Sequence, residues 1–261
     1  MTMPAARRNG SPYRPASAMT SAAKSLRRHG PAQPLPLPTR SYEVAALRTD
    51  GSLLISSGKI PAVPLFESAF SAFARGTLIA TPQGEVAVED LQPGDRITTD
   101  AGKAAKVVWI GSSSFVPADA GRRMPLVRIM PDSFGQGRPG SFLTVGPAAR
   151  LLHTPHHLRA AFGERRMLTP VHEFIDGVNV IKVVPPTPIR LFHICLDRHA
   201  LIRAGGMAME SFYPDLDAME GLSRGLCDRF IGLFPHISRL EDFGAPVQAR
   251  APDAPHPAEV I

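Results

Sequence analysis

Along the middle of the chain, apolar positions gather in short β-branched runs: Tyr42–Leu47, Thr77–Ala80, Arg96–Thr99, Lys106–Ile110, Leu126–Met130, Phe142–Val145, Val178–Val184 and Ile189–Leu196. Runs of this length, bounded by turn residues, predict strands rather than helices. The turns are visible between them, at Thr49-Asp50-Gly51, Thr81-Pro82-Gln83-Gly84, Gln92-Pro93-Gly94-Asp95 and Asp100-Ala101-Gly102. There glycine, proline and aspartate supply the special backbone angles. One segment keeps a different period. Leu216, Met219, Leu222, Leu226, Phe230 and Leu233 recur at three- or four-residue spacing, which predicts an amphipathic helix ending before Pro235 and packing on the β-domain as a lid. The expected fold class is mostly β, with that C-terminal amphipathic helix.

Composition narrows the picture. The 261 residues are 44% hydrophobic and 20% charged, enough for a proper core. No stretch reaches the roughly eighteen apolar residues of a membrane span. The positive start has no apolar stretch behind it, so no conventional secretory signal is visible; the cytoplasm is the default compartment, with export by a route lacking such a signal left open. Cys195 and Cys227 are the only cysteines, too few for a disulfide scaffold or a thiolate zinc finger. The net charge of +6 is confined to one end. Residues 1–40 hold seven Lys/Arg and no acid, leaving 22 basic and 23 acidic groups in the rest. That Pro-rich arm is expected to be disordered, and contact with nucleic acid or an anionic membrane rests on its charge alone. The expected organisation is this arm (1–40), a leading β segment (41–71), a central domain (72–214), the helix and its extension (215–244) and a loose Ala/Pro-rich tail (245–261).

The run Ala72-Phe73-Ala74-Arg75-Gly76-Thr77-Leu78, followed by Leu91-Gln92-Pro93-Gly94-Asp95, resembles the opening of Hint domains. These are the fold shared by Hedgehog autoprocessing domains and inteins, where a Cys precedes Phe-x-x-Gly-Thr and a Leu-x-Pro-Gly-Asp turn follows. The likeness continues through Val107–Gly111, Pro170–Gly177, Phe192–His199, Glu210–Phe212 and Leu233–Pro235, so that it spans roughly residues 42–245 and looks closest to the bacterial Hint-like branch. The resemblance implies a pseudo-twofold, horseshoe-like β fold that cuts its own backbone with no cofactor and no metal. In that chemistry a Cys thiol attacks the carbonyl before it, turning the amide into a thioester that water or another nucleophile resolves. A Thr/Ser-x-x-His unit hydrogen-bonds the scissile amide and protonates the departing nitrogen.

The sequence departs from this pattern at its centre. Gly76 and Thr77 fix a register in which the nucleophile position is Ala72, whose methyl group cannot attack. Ser71 is the adjacent hydroxyl, but using it displaces Oγ by about 3.3 Å, more than proximity catalysis tolerates. For the assisting unit two registers compete. Thr154-Pro155-His156-His157 reads as an intact Thr-x-x-His. An ungapped alignment with the family from Val127 to Pro170 instead places the unit on Gly146-Pro147-Ala148-Ala149, with Gly146 for the hydroxyl and Ala149 for the imidazole. The second register is favoured, which makes Thr154–His157 a loop or strand edge. What survives is His193, Asp197 and His199, which a period of two sets on one face of a strand; they are either an acid–base remnant or a polar group in which Asp197 orients an imidazole.

Other signals are weaker. Gly135-Gln136-Gly137-Arg138-Pro139-Gly140 satisfies G-x-G-x-x-G, but a strand rather than a helix follows, so it reads as a turn. His153, His156, His157 and His172 have no carboxylate or thiolate at a familiar ligand spacing, and their one metal-like pair, His153 and His157, needs a helix containing Pro155, so no metal is expected. Trp109 is expected in the core. The terminal His-Asn of a splicing intein is missing from Gln248–Ile261, so splicing is not expected. The reading is a Hint-like domain that has lost self-cleavage and keeps a structural role or binds an unidentified protein or peptide; the rival is an active domain that cuts just before Ser71, using Ser71 with Thr154 and His157.

Overall fold

The computed structural model describes residues 38–163 and 166–251. Most of the basic arm and the last ten residues of the tail lie outside them. In chain order the elements begin with strands β1 (Thr39–Leu47) and β2 (Leu53–Pro61), helix α1 (Pro64–Ser68), and strands β3 (Phe73–Ala74), β4 (Leu78–Thr81), β5 (Gly84–Ala87) and β6 (Arg96–Thr98). There follow β7 (Ala104–Phe115), β8 (Leu126–Ile129), β9 (Leu143–Val145), β10 (Arg150–Leu152), α2 (His156–Phe162), β11 (Leu168–Pro170), β12 (Val180–Val183) and β13 (Ile189–Leu196). The last are β14 (Leu201–Ala204), β15 (Met207–Glu210), α3 (Leu216–Glu220) and α4 (Arg224–Ile231).

These strands form two antiparallel sheets, as the mostly β expectation required. One runs β12-β8-β9-β3-β13-β7-β1-β2, with β6 also on β7; the other runs β11-β10-β15-β14-β4-β5. Strand β7 is the spine of the larger sheet, pairing with β1, β6 and β13. Its centre is fixed by close contact: a Cβ on Gly111 would stand 2.1 Å from the Trp109 ring and 2.7 Å from Phe70, so only glycine fits there.

Two apolar clusters make up most of the core. The first, between the sheets, joins Ala72, Phe73, Ile79, Val107, Val145, Ala149, Phe192 and Ile202. The second is largely aromatic and joins Phe66, Phe70, Trp109, Phe212, Phe230 and Phe234. Residues 41–71 and 215–244, expected as flanking segments, supply much of this second cluster and are integral to the fold. Trp109 is fully buried, packs with its ring tilted 4.7 Å from Phe234 and donates its Nε1 hydrogen to the Leu233 carbonyl at 2.7 Å. Trp109→Phe is expected to cost about 1–2 kcal/mol through the orphaned Leu233 carbonyl, read from the urea midpoint at unchanged m-value.

Two expectations are corrected here. The single helix over 216–233 is two short ones, because the chain breaks at Gly221-Leu222-Ser223; Asp215 caps the first by accepting the Ala218 N–H at 3.2 Å. The first seven residues of the expected loose tail, 245–251, are tied down. Leu168 exchanges backbone bonds with Ala249 and Ala251, and Arg250 donates to the Tyr213 and Pro214 carbonyls. Likewise residues 39 and 40 of the expected arm already belong to β1.

Candidate functional site

The peptide between Ser71 and Ala72 lies where β3 enters the larger sheet. Phe73 pairs with Phe192 on one side and Val145 on the other, which draws the preceding residues inward. The motif after β3 holds the other end. Gly76 turns at φ 84°, and its N–H is accepted by the Glu89 carboxylate at 2.7 Å; burial raises that carboxyl's pKa, but this bond and Arg75 outweigh it and hold the group below its ordinary range.

Facing the peptide is the turn from β9 to β10, Gly146-Pro147-Ala148-Ala149, closed by the Ala149 N–H to the Gly146 carbonyl at 3.1 Å. Proline at its second position presets the turn angle. The turn clamps the peptide through two backbone donors: Ala148 N–H reaches the Ser71 carbonyl at 3.1 Å and Gly146 N–H the Ala72 carbonyl at 2.8 Å. Opposite, Ala72 N–H donates to Phe192 at 3.0 Å. The approach is so close that a Cβ on Gly146 would stand 2.1 Å from the Ser71 oxygen. Ala72 and Ala149 are buried in one apolar cluster. The structure thus brings Ala72, Gly146 and Ala148 around one carbonyl, with Ala149 next in the turn. A donor such as Ala148 N–H is suited to an oxyanion developing there. Yet the side chains available at these three positions are a methyl group, a hydrogen and a methyl group.

Of the rival register, Ser71 lies between α1 and β3, and Thr154 and His157 lie at the entry to α2. The Ser71 hydroxyl is buried and donates backwards to the Glu67 carbonyl of α1 at 2.8 Å. Thr154 is buried ahead of α2, and His157, in the first turn of that helix, is exposed and stands 3.2 Å from Glu173. The expectation of a loop or strand edge over 154–157 is corrected to the start of a helix, entered through Pro155 as its N-cap.

The strand reading of His193, Asp197 and His199 needs a second correction. The register slips at Cys195/Leu196 and β13 ends at Leu196, so alternation does not carry through to the later two. His193 is buried between Phe73 and Phe212, with ring centroids at 5.7 and 5.2 Å; burial pushes its pKa down to about 3, against the pull of Glu210. His199 accepts the Val247 N–H at Nδ1, 2.9 Å, which leaves the proton on Nε2, 3.2 Å from Glu210. Glu210 also accepts from Arg250 Nε at 2.8 Å. Burial pushes that carboxyl up, but His199 and Arg250 together hold it below its ordinary range. The carboxylate that stands beside the His199 imidazole is therefore Glu210, not Asp197. Asp197 is part-exposed, bonded to the Lys106 N–H at 3.3 Å and beside Arg198. Arg250, from the tail expected to be loose, was invisible to sequence reasoning.

Asp197 and His199 also line a cavity of about 260 Å³ with Cys195 and His236. Cys195 Sγ lies 3.7 Å from His236 Nε2. Burial pushes the thiol up to about 12 and the imidazole down to about 4, so the pair is neutral and its sulfur a poor nucleophile. Among the described residues no group of three His, Cys, Asp or Glu could hold a metal, and no helix is long and apolar enough to cross a membrane. The glycine-rich run at 135–140 is a loop between β8 and β9, with Gly135 and Gly137 at positive φ.

Comparison with known proteins places these observations. The Hint domain family matches residues 71–216. Among solved structures, the MchDnaB-1 intein is 16% identical, with 54% of this chain and 100% of that chain covered at a TM-score of 0.36. The Msm DnaB1 intein splicing domain bound with zinc is 18% identical, covering 54% and 100% at 0.35. A bacterial intein-like domain from Clostridium thermocellum is 12% identical, covering 55% and 99% at 0.36. None of the curated proteins matches. With more than half of its length matched, from the residue before Ala72 to the start of α3, the chain belongs to the Hint domain family.

Proposed function

We propose that this chain keeps the Hint fold without cutting itself and serves as a binding or structural module. The observation that carries the reading is Ala72 on the far side of the Ser71 carbonyl, where self-cleavage by an N-to-S acyl shift requires a thiol. A methyl group supplies no electron pair, so no covalent intermediate forms. Two further features support it. Ala149 offers no imidazole to protonate a leaving nitrogen, and the Ser71–Ala72 peptide has its carbonyls and its N–H all engaged in backbone bonds, which stabilise it in the uncut state. The bound partner is a protein or peptide; a role for residues 1–40 toward nucleic acid or anionic lipid rests on charge alone.

Intact-mass measurement on the purified full chain tests this reading. One species of 28.1 kDa is expected, unchanged after long incubation with dithiothreitol or hydroxylamine. Fragments divided after Ser71 would overturn the reading. Fragments divided after Phe70 would establish the Ser71, Thr154 and His157 alternative in its place.

A further inference from the structure

Strand β2 is the outermost strand of the larger sheet. Its pairing with β1 fixes which of its backbone groups are spent. Ala62 N–H donates to Pro38 and Arg48 N–H to Ser52, in the register that sets Thr39 opposite Pro61. Bonded and non-bonded pairs alternate in an antiparallel ladder, so the even-numbered residues of β2 bond to β1 and the odd-numbered ones aim outward. The outward set is Leu53, Ile55, Ser57 and Lys59. The Lys59 carbonyl is met by Arg229 at 3.5 Å, and among the described residues the outward groups of Leu53, Ile55 and Ser57 meet no further strand.

The same odd positions carry the exposed side chains. Ile55 is 75% and Leu53 52% exposed, unusual for large aliphatic residues on a strand. Natural edges are commonly guarded by charge or proline. Here the guards, Lys59 and Pro61, stand at one end, and the run 53–58 carries no charge. At the other end is Asp50, in the turn before β2. An edge with an acid at its start and a base at its end is complementary to an antiparallel copy of itself.

We propose that two copies of this chain pair antiparallel through the outer edge of β2, with Ile55 opposite Ile55 and Leu53 opposite Ser57 across a two-fold axis. In this register every outward N–H and carbonyl from 53 to 57 finds a partner. The aliphatic side chains of both copies meet on one face, and Lys59 of each copy approaches Asp50 of the other. The two larger sheets become one. This pairing does not depend on whether self-cleavage is lost.

Sedimentation of the full chain across a concentration series is expected to show a species of twice 28.1 kDa. Ile55→Lys removes the central apolar contact and sets two like charges opposite each other, so it should weaken association about a hundredfold or more, with unchanged near-UV circular dichroism because Ile55 is exposed. The register is read separately. Opposed bonded residues stand about 5.5 Å apart at Cα, within disulfide reach, so Ile55→Cys should cross-link between copies on oxidation and Leu53→Cys should not. A wild-type chain that stays monomeric overturns the proposal, as does a dimer that survives Ile55→Lys or cross-links equally through both cysteines. A monomer whose Leu53, Ile55 and Ser57 amides resist hydrogen exchange would place another segment of the same chain on the edge, which also overturns it.

Discussion

Gly146→Ser, the change that would put a family-like hydroxyl back beside the Ser71–Ala72 peptide, is expected to destabilise the protein by about 3 kcal/mol or more. The obstacle is the first side-chain atom, so Gly146→Ala should cost nearly as much. A Cβ at this position meets the Ser71 carbonyl oxygen at 2.1 Å and its carbon at 2.8 Å. The third neighbour, Leu191 Cδ1 at 3.2 Å, can rotate away. The carbonyl cannot: moving it breaks the bond from Ala148 and disturbs those of Ala72 with Gly146 and Phe192, each worth roughly 1 kcal/mol net. For a domain of this size the loss corresponds to a Tm lower by roughly 6–12 °C. Gly140→Ala is the control, since its added Cβ meets only a carbonyl at 3.9 Å and should stay within about 0.5 kcal/mol of the parent. If Gly146→Ala matches that control, the clamp is looser than the geometry requires. Gly146 is thus the residue that lets the turn close on the peptide.

The runs that became β1, β7, β8 and β13 were legible from their short apolar, β-branched composition and the turns that bound them, and of these β1 also alternates between faces. Val44 and Ala46 of β1 point inward while their neighbours do not. The Gln92-Pro93-Gly94-Asp95 turn was legible for a local reason: Asp95 accepts the Gln92 N–H at 2.8 Å and Gly94 sits at φ 108°, both demands written in residue type. Strand β2 lies within the expected leading β segment but is not among the apolar runs, because Ser56-Ser57-Gly58 carries no apolar side chain; what makes it a strand is the ladder to β1. The slip at Cys195/Leu196 depends on β7, and so was hidden from an alternation count along β13. The pairing of the Gly146 turn with the Ser71–Ala72 peptide could be anticipated by aligning motifs. The reason for the glycine could not, since the oxygen it makes room for is 75 residues away in sequence. The Glu210–Arg250 pair shares that difficulty, with 40 residues between its members.

Acid is expected to unfold this protein from a higher pH than its carboxylates would require. His193 and His236 have folded-state pKa values pushed down by burial to about 3 and about 4, from an ordinary 6.5. A folded-state pKa below the unfolded value means that the unfolded chain binds the extra protons. Stability is therefore complete above about pH 6.5 and falls as pH drops through the interval toward the folded values. His153, lowered by its own burial and by Arg159 and Arg166, adds in the same direction. By linkage a fully buried histidine contributes a loss of about 2 kcal/mol between pH 7 and pH 5. His236 is only part-buried and contributes less, so about 3 kcal/mol in all is expected. The carboxylates with lowered pKa, Asp176, Glu210 and Asp242 among them, act lower down, since their stabilisation is lost only as pH falls below the ordinary carboxylate range. Urea midpoints at a series of pH values separate the two windows. His193→Asn is the informative variant, because an Asn oxygen can accept the Ile194 N–H now accepted by His193 Nδ1 at 3.1 Å and cannot take up a proton. The variant loses stability at neutral pH through poorer packing against Phe73 and Phe212, yet its decline from pH 7 to pH 5 should be about 2 kcal/mol shallower. A decline as steep as the parent's would mean that His193 already takes up its proton in the folded state, and that the pocket between those two rings is wetter than its burial implies.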